Sequence, residues 1–351
     1  MSSTHKRRAA VRSRLSAMPD AEFIERYPIE GPSGLSTATG VSVRAVHTRR
    51  KRIEGEHGIT LDASGLRGGV GGHTKGRLPP DFKEALLQDV GFEAKEIIDV
   101  QVKNRVIIVG SDCHYWPGMI STAHRGLLQF CEKLNPAAVI LNGDVIDGAS
   151  ISRWPPPGWE YQPGVEDELE AAFQRTEEIR AATPKARHIW AYGNHDARFA
   201  TKLASMTKEY RGVPGFNLHD HFTDWERCWG IMVNAGLGVL PTFIKHSFKG
   251  GVHAAYNNVL HAGCHMVTGH LHAAKVSPKT NLAGTLWGVD TGMLAEPRGR
   301  QFTSYTNASP TDWRSSFAVL TFDKQGNLFQ PELALTVKKG VMQFRGEYVR
   351  V

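Results

Sequence analysis

The 351-residue sequence is poor in cysteine and has no long apolar stretch. Its four cysteines, Cys113, Cys131, Cys228 and Cys264, form neither a CxxC pair nor a regular framework. That excludes a disulfide-stapled scaffold and a thiolate metal knuckle, and predicts reduced thiols. No apolar run nears the ~20 residues that a membrane-spanning helix needs. The basic opening MSSTHKRRAAVRSRLSAM has neither the apolar core nor the small-residue cleavage site of a secretory signal, so a cytoplasmic location is expected. No internal repeat is present. The hydrophobic share, 41%, is that of a globular chain able to build a core.

Positive charge, by contrast, is in excess, and it is unevenly placed. Residues 1–80 hold fourteen Lys and Arg against seven Asp and Glu, whereas the remaining residues hold twenty-eight of each. The net +7 therefore lies wholly in the first segment, the pattern of a polyanion-binding arm. Composition then divides the chain into a basic module (1–62), a Gly/Pro-rich linker (63–81) and a main domain (82–351).

Within the module, GLSTATGVSVRAVHTRRKRIEGEHG reads as a helix–turn–helix, with AEFIERYP as a preceding helix. Leu35 and Ala38 are expected to pack from the first helix, Gly40 to make the turn, and Ser42 to cap a second helix whose buried stripe is Val43, Val46 and Ile53. Arg44, His47, Arg49, Arg50, Lys51 and Arg52 would then meet DNA, which is the expected partner, with Lys6 to Arg14 adding phosphate contacts. A solvated basic helix or a protein-docking arm is the alternative.

The main domain opens with alternating strand and helix patterns. NRVIIVGSD, AAVILNGD and RHIWAYGNHD read as buried strands, with amphipathic helices at ISTAHRGLLQFCEKL and EDELEAAFQRTEEIRAA between them. After Leu240 the strands PTFIKHS, CHMVTGHLH, LWGVDTGML, FAVLTFD and LALTVKKG follow with few helices. The fold class expected is α/β, a layered sandwich with a second sheet packed on the first, flanked by helices and preceded by a small all-α module.

Polar groups collect where the apolar runs end: Asp112 and His114, then Asp144 and Asp147, Asn194, His195 and Asp196, His246, and finally His270 and His272. Carboxyl ends of strands are where open α/β sheets bind ligands. Aspartate, asparagine and histidine without a thiolate cluster suit divalent Mn, Fe, Zn, Ni or Co. One shared carboxylate can hold two such ions, which polarise a phosphoryl oxygen and activate a bridging water.

The order DxH, GDxxD, GNHD, a lone His and GHxH, spread over residues 106–273, resembles the calcineurin-like metallophosphoesterase superfamily. The resemblance implies a layered α/β metallophosphoesterase with two divalent metal ions, manganese foremost. It implies Asp112, His114 and His272 on the first metal, Asp144 bridging, and Asn194, His246 and His270 on the second. It also implies His195 as the catalytic acid and phosphate contact, with Asp147 fixing a histidine tautomer and Asp196 doing similar work. For the lone histidine, His246 is preferred because it follows an apolar run, and His253 is the alternative. Gly148 stands where protein phosphatases of the superfamily carry arginine, and Asp196 where they carry glutamate, which argues against that branch.

Three further features stay open in the sequence. Cys113 is expected to be a packed core thiol. Tyr115 and Trp116 would either wall the cleft or cover the sheet edge. Trp154, Trp159 and Tyr161 would either stack on a base or decorate a rigid surface loop, and Arg153 and Arg198 would either contact phosphate or face solvent. The expected activity is metal-dependent hydrolysis of phosphodiesters, a DNA-directed nuclease leading. The alternatives are a small-molecule or protein phosphomonoesterase that uses the arm for localisation, and a DNA-binding regulator with a vestigial metal site. The joined modules also resemble genes carried by bacteriophages.

Overall fold

The computed structural model describes residues 18–61, 95–154, 159–282, 284–306, 309 and 311–351. The expected linker, 63–81, and the basic tail, Lys6 to Arg14, lie outside them. The chain divides into two compact units, 1–90 and 91–351.

In the first unit, α1 (Asp20–Thr39) and α2 (Val43–His57) are joined through Gly40. Gly31 leaves helical geometry inside α1 (φ 66°, ψ 178°), so this stretch is two helical segments, and the described residues of the unit form three. Ser42 caps α2, its side chain accepting from the Ala45 N–H, as the sequence predicts. Phe23, Tyr27, Leu35, Val46 and Ile53 are buried together. Ala38 and Val43, expected in that core, are exposed instead. Thr39 takes the buried place beside Leu35, its hydroxyl donating to the Leu35 carbonyl.

The second unit is mixed α/β. Its strands are β1 (Lys95–Val100), β2 (Val106–Gly110), β3 (Ala138–Asn142), β4 (Arg187–Ala191), β5 (Glu226–Val233), β6 (Thr242–Ile244), β7 (His265–Thr268), β8 (Lys275–Asn281), β9 (Gly284–Asp290), β10 (Ser316–Thr321), β11 (Glu332–Lys338), β12 (Val341–Phe344) and β13 (Glu347–Arg350). The main helices are α3 (Thr122–Leu134), α4 (Val165–Ala182), α5 (Asp196–Met206) and α6 (Ala254–Ala262). Strands β2, β3, β4 and β5 pair in parallel, the connections expected of the alternating pattern.

The two expected sheets are one hydrogen-bonded path of order β13-β12-β11-β10-β2-β3-β4-β5-β6-β7-β9-β8, with β1 also on β5. The antiparallel β5–β6 pairing makes the join, so the expectation of two separate sheets is corrected. A layered arrangement survives in the cores. Ile107, Val109, Ile140 and Ile189 share one cluster with Ile244, Val267 and Val289 from the other half of the path. Their neighbours Ile108, Val139, Leu141 and Trp190 face a second cluster with Leu127, Phe130 and Ile179 of the helices. Successive strand residues point to opposite faces, and continuous apolar runs follow when both faces are covered.

Candidate metal centre

The carboxyl ends of β2, β3, β4, β6 and β7 bring the polar motifs together. Asp112, His114 and His272 form one group whose ligand atoms all lie within 4.8 Å of one another, and Asp144, His246 and His270 form another. Asp144 also joins His114 and His195 in a third, so it stands between the two sides. Asn194 and His195 line the same cavity as Asp144, His270 and His272. His246 is buried with Nε2 3.1 Å from Asp144 Oδ2, whereas His253 is exposed at the start of α6.

The backbone is bent to make this possible. Asp112 (φ 52°), His114 (φ 39°), Asp144 (φ 53°), His270 (φ 73°) and His272 (φ 60°) all occupy the left-handed region. Non-glycine residues rarely do so, and such strain concentrates at functional sites. The motif glycines are explained by close approach. A Cβ on Gly193 would lie 2.1 Å from Asp144 Oδ1, and one on Gly143 (φ 86°) 2.4 Å from His246 Nδ1. Any side chain there would push the neighbouring strand end out of the cluster.

The histidines are held by their outer nitrogens. His114 Nδ1 is 2.8 Å from Asp147 Oδ1, and His246 Nδ1 is 2.8 Å from the Asn142 carbonyl oxygen. With Nδ1–H donating outward, each ring turns its Nε2 lone pair inward. His246 Nε2 is buried facing Asp144 Oδ2 at 3.1 Å, and His114 Nε2 and His272 Nδ1 are buried without a hydrogen-bond partner. Buried nitrogens are seldom left so. His272 Nε2 lies 3.0 Å from Asp112 Oδ1, and two donors each ~2.0–2.2 Å from one ion sit about 3 Å apart. The donor set and the orphaned nitrogens therefore fit a pair of divalent cations.

Charge follows the same logic. Burial opposes ionisation of Asp144 and Asp112, yet the adjacent histidines, His246 for Asp144 and His272 for Asp112, hold both carboxyls below the usual range. Burial would lower His246, but Asp144 and Asp112 raise it to about 10. Burial lowers His114 and His270 despite nearby carboxylates. His195 moves up: burial opposes it, and Asp147 and Asp144 outweigh that.

Asp147 touches the histidines as expected, with Oδ1 also 3.2 Å from His195 Nδ1. Asp196 acts differently from the expectation. It accepts from the Asp144, Val145 and Gly193 amides and from Trp190 Nε1, and so pins the two motif turns rather than a histidine. Cys113 is a buried core thiol. Tyr115 is buried against His124, its hydroxyl 2.9 Å from His124 Nδ1, so it covers the core, while Trp116 lines the cleft. Arg198, left open in the sequence, reaches the site: Nη1 donates to the Asp147 carbonyl and Nη2 to His195 Nε2, at 2.8 and 3.0 Å.

Sequence reasoning missed Glu168, Arg300 and Gln301. Glu168, on α4, accepts from the Gly148 and Ala149 amides just past Asp147. Its only signal was an acid amid an amphipathic helix. Arg300 and Gln301 enter the cleft from a segment after β9 that carries no motif.

The expected DNA-contacting side chains are in different situations within their own unit. Arg49 turns inward, donating to the Met18 carbonyl, pairing with Asp20 and lying over Phe23. Arg50 pairs with Glu54, and Arg52 with Asp20 and Glu56. Arg44 and Lys51 are exposed, and His47 is half-buried. Arg49, expected to project with Arg44, His47, Arg50 and Arg52, is instead claimed by its neighbours Asp20 and Phe23. Among the described residues, no helix is long and apolar enough to cross a membrane.

Residues 105–272 match the family described as calcineurin-like phosphoesterase. The Gene 54 protein of Mycobacterium phage L5 is 27% identical over 235 residues, covering 60% of this chain and 85% of that protein. Among solved structures, Vps29 of Entamoeba histolytica aligns at 12% identity and TM-score 0.35, over 70% of this chain and 99% of its own. YfcE, a phosphoesterase from E. coli, aligns at 12% identity and TM-score 0.33, over 70% of this chain and 96% of its own. With its motif residues gathered at the strand ends, the chain contains a calcineurin-like phosphoesterase domain across residues 105–272.

Proposed function

We propose that the protein is a dinuclear-metal phosphodiesterase directed to DNA, a nuclease, with manganese the leading metal. The coarser part, a metal-dependent hydrolase of phosphate esters, follows from the family. The observation that carries the reading is the pair of buried, inward-facing Nε2 atoms of His114 and His246 on either side of Asp144. Asp112, His114 and His272 would hold one cation, Asn194, His246 and His270 the other, with Asp144 shared. Cations bound there would supply Lewis-acid polarisation of a phosphoryl oxygen and a water acidic enough to ionise near neutral pH.

The chain's own groups do the rest. His195, anchored through Nδ1 to the Asp147 carbonyl, has Nε2 as the nitrogen that would carry a proton to the leaving oxygen. In the free protein Arg198 donates to that nitrogen. A phosphate in the cleft would compete for the guanidinium, which binds phosphate oxygens well, and so free Nε2 for protonation. The direction to DNA rests on the charge excess of residues 1–80 and on the capped second helix with exposed Arg44 and Lys51.

The test is one substrate panel run after chelation and after reloading with each of Mn, Fe, Zn, Ni and Co. Linear, circular and single-stranded DNA are compared with a chromogenic phosphodiester and phosphomonoester. Metal-dependent cleavage of DNA supports the reading. Turnover confined to the monoester moves the protein to the phosphatase alternative, and metal binding without turnover of any substrate moves it to the regulator.

A further inference from the structure

The cavity over the metal centre, about 430 Å³, is walled by more than its motif residues. Trp154 and Tyr161 line it together with Asp144, His195, Arg198 and Arg300. Both aromatic side chains remain largely open, at 67% and 70%. Large aromatics are normally mostly buried, and those left exposed beside a ligand site mark recognition surfaces. Cavities of this size hold small organic ligands, not only a phosphate.

The segment that carries Trp154 is fixed at its base. Glu168 grips the Gly148 and Ala149 amides, immediately after Asp147, and Ser152 Oγ accepts from the Trp154 N–H at 3.2 Å. Arg153 stands 5.1 Å over the Trp154 ring, so a cation lies over the indole and the side chain is still open. Tyr161 returns to the same cavity shortly before α4. An aromatic wall and two arginines around one phosphoryl site match a substrate with a planar ring tethered to a phosphate.

We propose that Trp154 and Tyr161 form a nucleobase-stacking wall, which makes the site select phosphodiesters carrying a nucleoside over those carrying an alkyl group. This rests on the phosphodiesterase reading above. Base–aromatic stacking tolerates any base because every base presents a π-face, so the wall selects nucleosides without selecting sequence.

Two substrates with the same leaving group separate the ideas. The metal-loaded full chain is given p-nitrophenyl thymidine-5′-phosphate or p-nitrophenyl methyl phosphate, and kcat/KM is measured for each. The wild type should prefer the thymidine ester by ~10-fold or more, mainly through KM. W154A and Y161A should each cut that preference about 5-fold, the scale of one lost stacking contact, while W154F keeps most of it. W159A, at a fully exposed position that does not line the cavity, should keep all of it. An absent preference in the wild type, a preference that survives both alanine variants, or an equal loss in W159A would overturn the stacking wall and leave the phosphodiesterase standing. Hydrolysis of neither ester with any metal would overturn the phosphodiesterase reading, and the wall with it.

Discussion

Asp147 accepts a hydrogen bond from His114: Oδ1 and Nδ1 are 2.8 Å apart, both groups buried. The contact selects the tautomer that leaves His114 Nε2 available. Loss of such an outer partner lowers metal affinity or activity ~10–100-fold. D147A should therefore keep its fold but bind metal more weakly, seen as a higher Kd in calorimetric titration and a matching loss of rate at limiting metal. Unchanged Kd and rate would refute the role.

Asp144 has a different expected phenotype. Its carboxylate belongs to two of the ligand groups and also accepts the His195 N–H at 2.8 Å. D144N should lose both metal content and turnover, because one uncharged amide replaces the shared anion. A purified D144N carrying two metal ions per chain and cleaving at a near-normal rate would contradict the assignment.

His195 should separate chemistry from metal binding. H195A is expected to retain metal and lose ~10²–10⁴-fold in rate on esters with poor leaving groups. Esters of acidic phenols need no proton at the leaving oxygen, so the loss there should be much smaller. The check is the slope of log kcat/KM against leaving-group pKa, which should steepen in the variant. Parallel lines would indicate a binding or structural role.

The basic unit can be tested by its salt dependence. Of the six expected contacts, Arg44, Lys51 and Arg52 keep exposed side chains, and about three neutralised phosphates give a log–log slope of roughly −2.7. Deleting residues 1–75 should weaken DNA binding and flatten that slope in fluorescence anisotropy across a salt series. Hydrolysis of a small chromogenic phosphodiester should stay near its original rate. Truncated protein with unaltered affinity and slope would remove the DNA-binding role, and the nuclease reading would fall back to a generic phosphoesterase.

His124 sets an acid-side limit on stability. It is buried between the Tyr115 hydroxyl on Nδ1 and Glu178 on Nε2, and burial holds its pKa below the ordinary 6.5, Glu178 notwithstanding. The folded protein therefore takes up this proton less readily than the unfolded chain. Stability from the neutral ring is complete above about pH 6.5 and is lost as pH falls through the depressed value. H124Q should lower Tm at pH 7.5 and lower it less at pH 5.5, measured by thermal unfolding. A gap that is constant or widens toward acid would exclude this titration.

Much of the site was legible because its residues interrupt strong patterns. Asp112, Asp144, Asn194 and His270 each follow an apolar run, and a charged or amide group at the end of a buried strand has no packing reason to be there. The parallel core was equally legible, since strands covered on both faces need unbroken apolar runs such as VIIVG and AVILN. What needed the third dimension was anything set by contacts distant in sequence. The preference for His246 over His253 came from the apolar run before it, but only the fold shows its Nε2 reaching to 3.1 Å from Asp144 Oδ2. The joining of two expected sheets into one path depended on β5 pairing with β6. Asp196 and Glu168 gained their roles by gripping backbone amides of other segments, and Arg49 was drawn inward by Asp20, 29 residues away. Backbone amides are the same in every residue, and one arginine reads like its neighbours, so no local pattern distinguishes these partners. The sequence by itself determined which groups are available for chemistry; tertiary packing decided which of them meet.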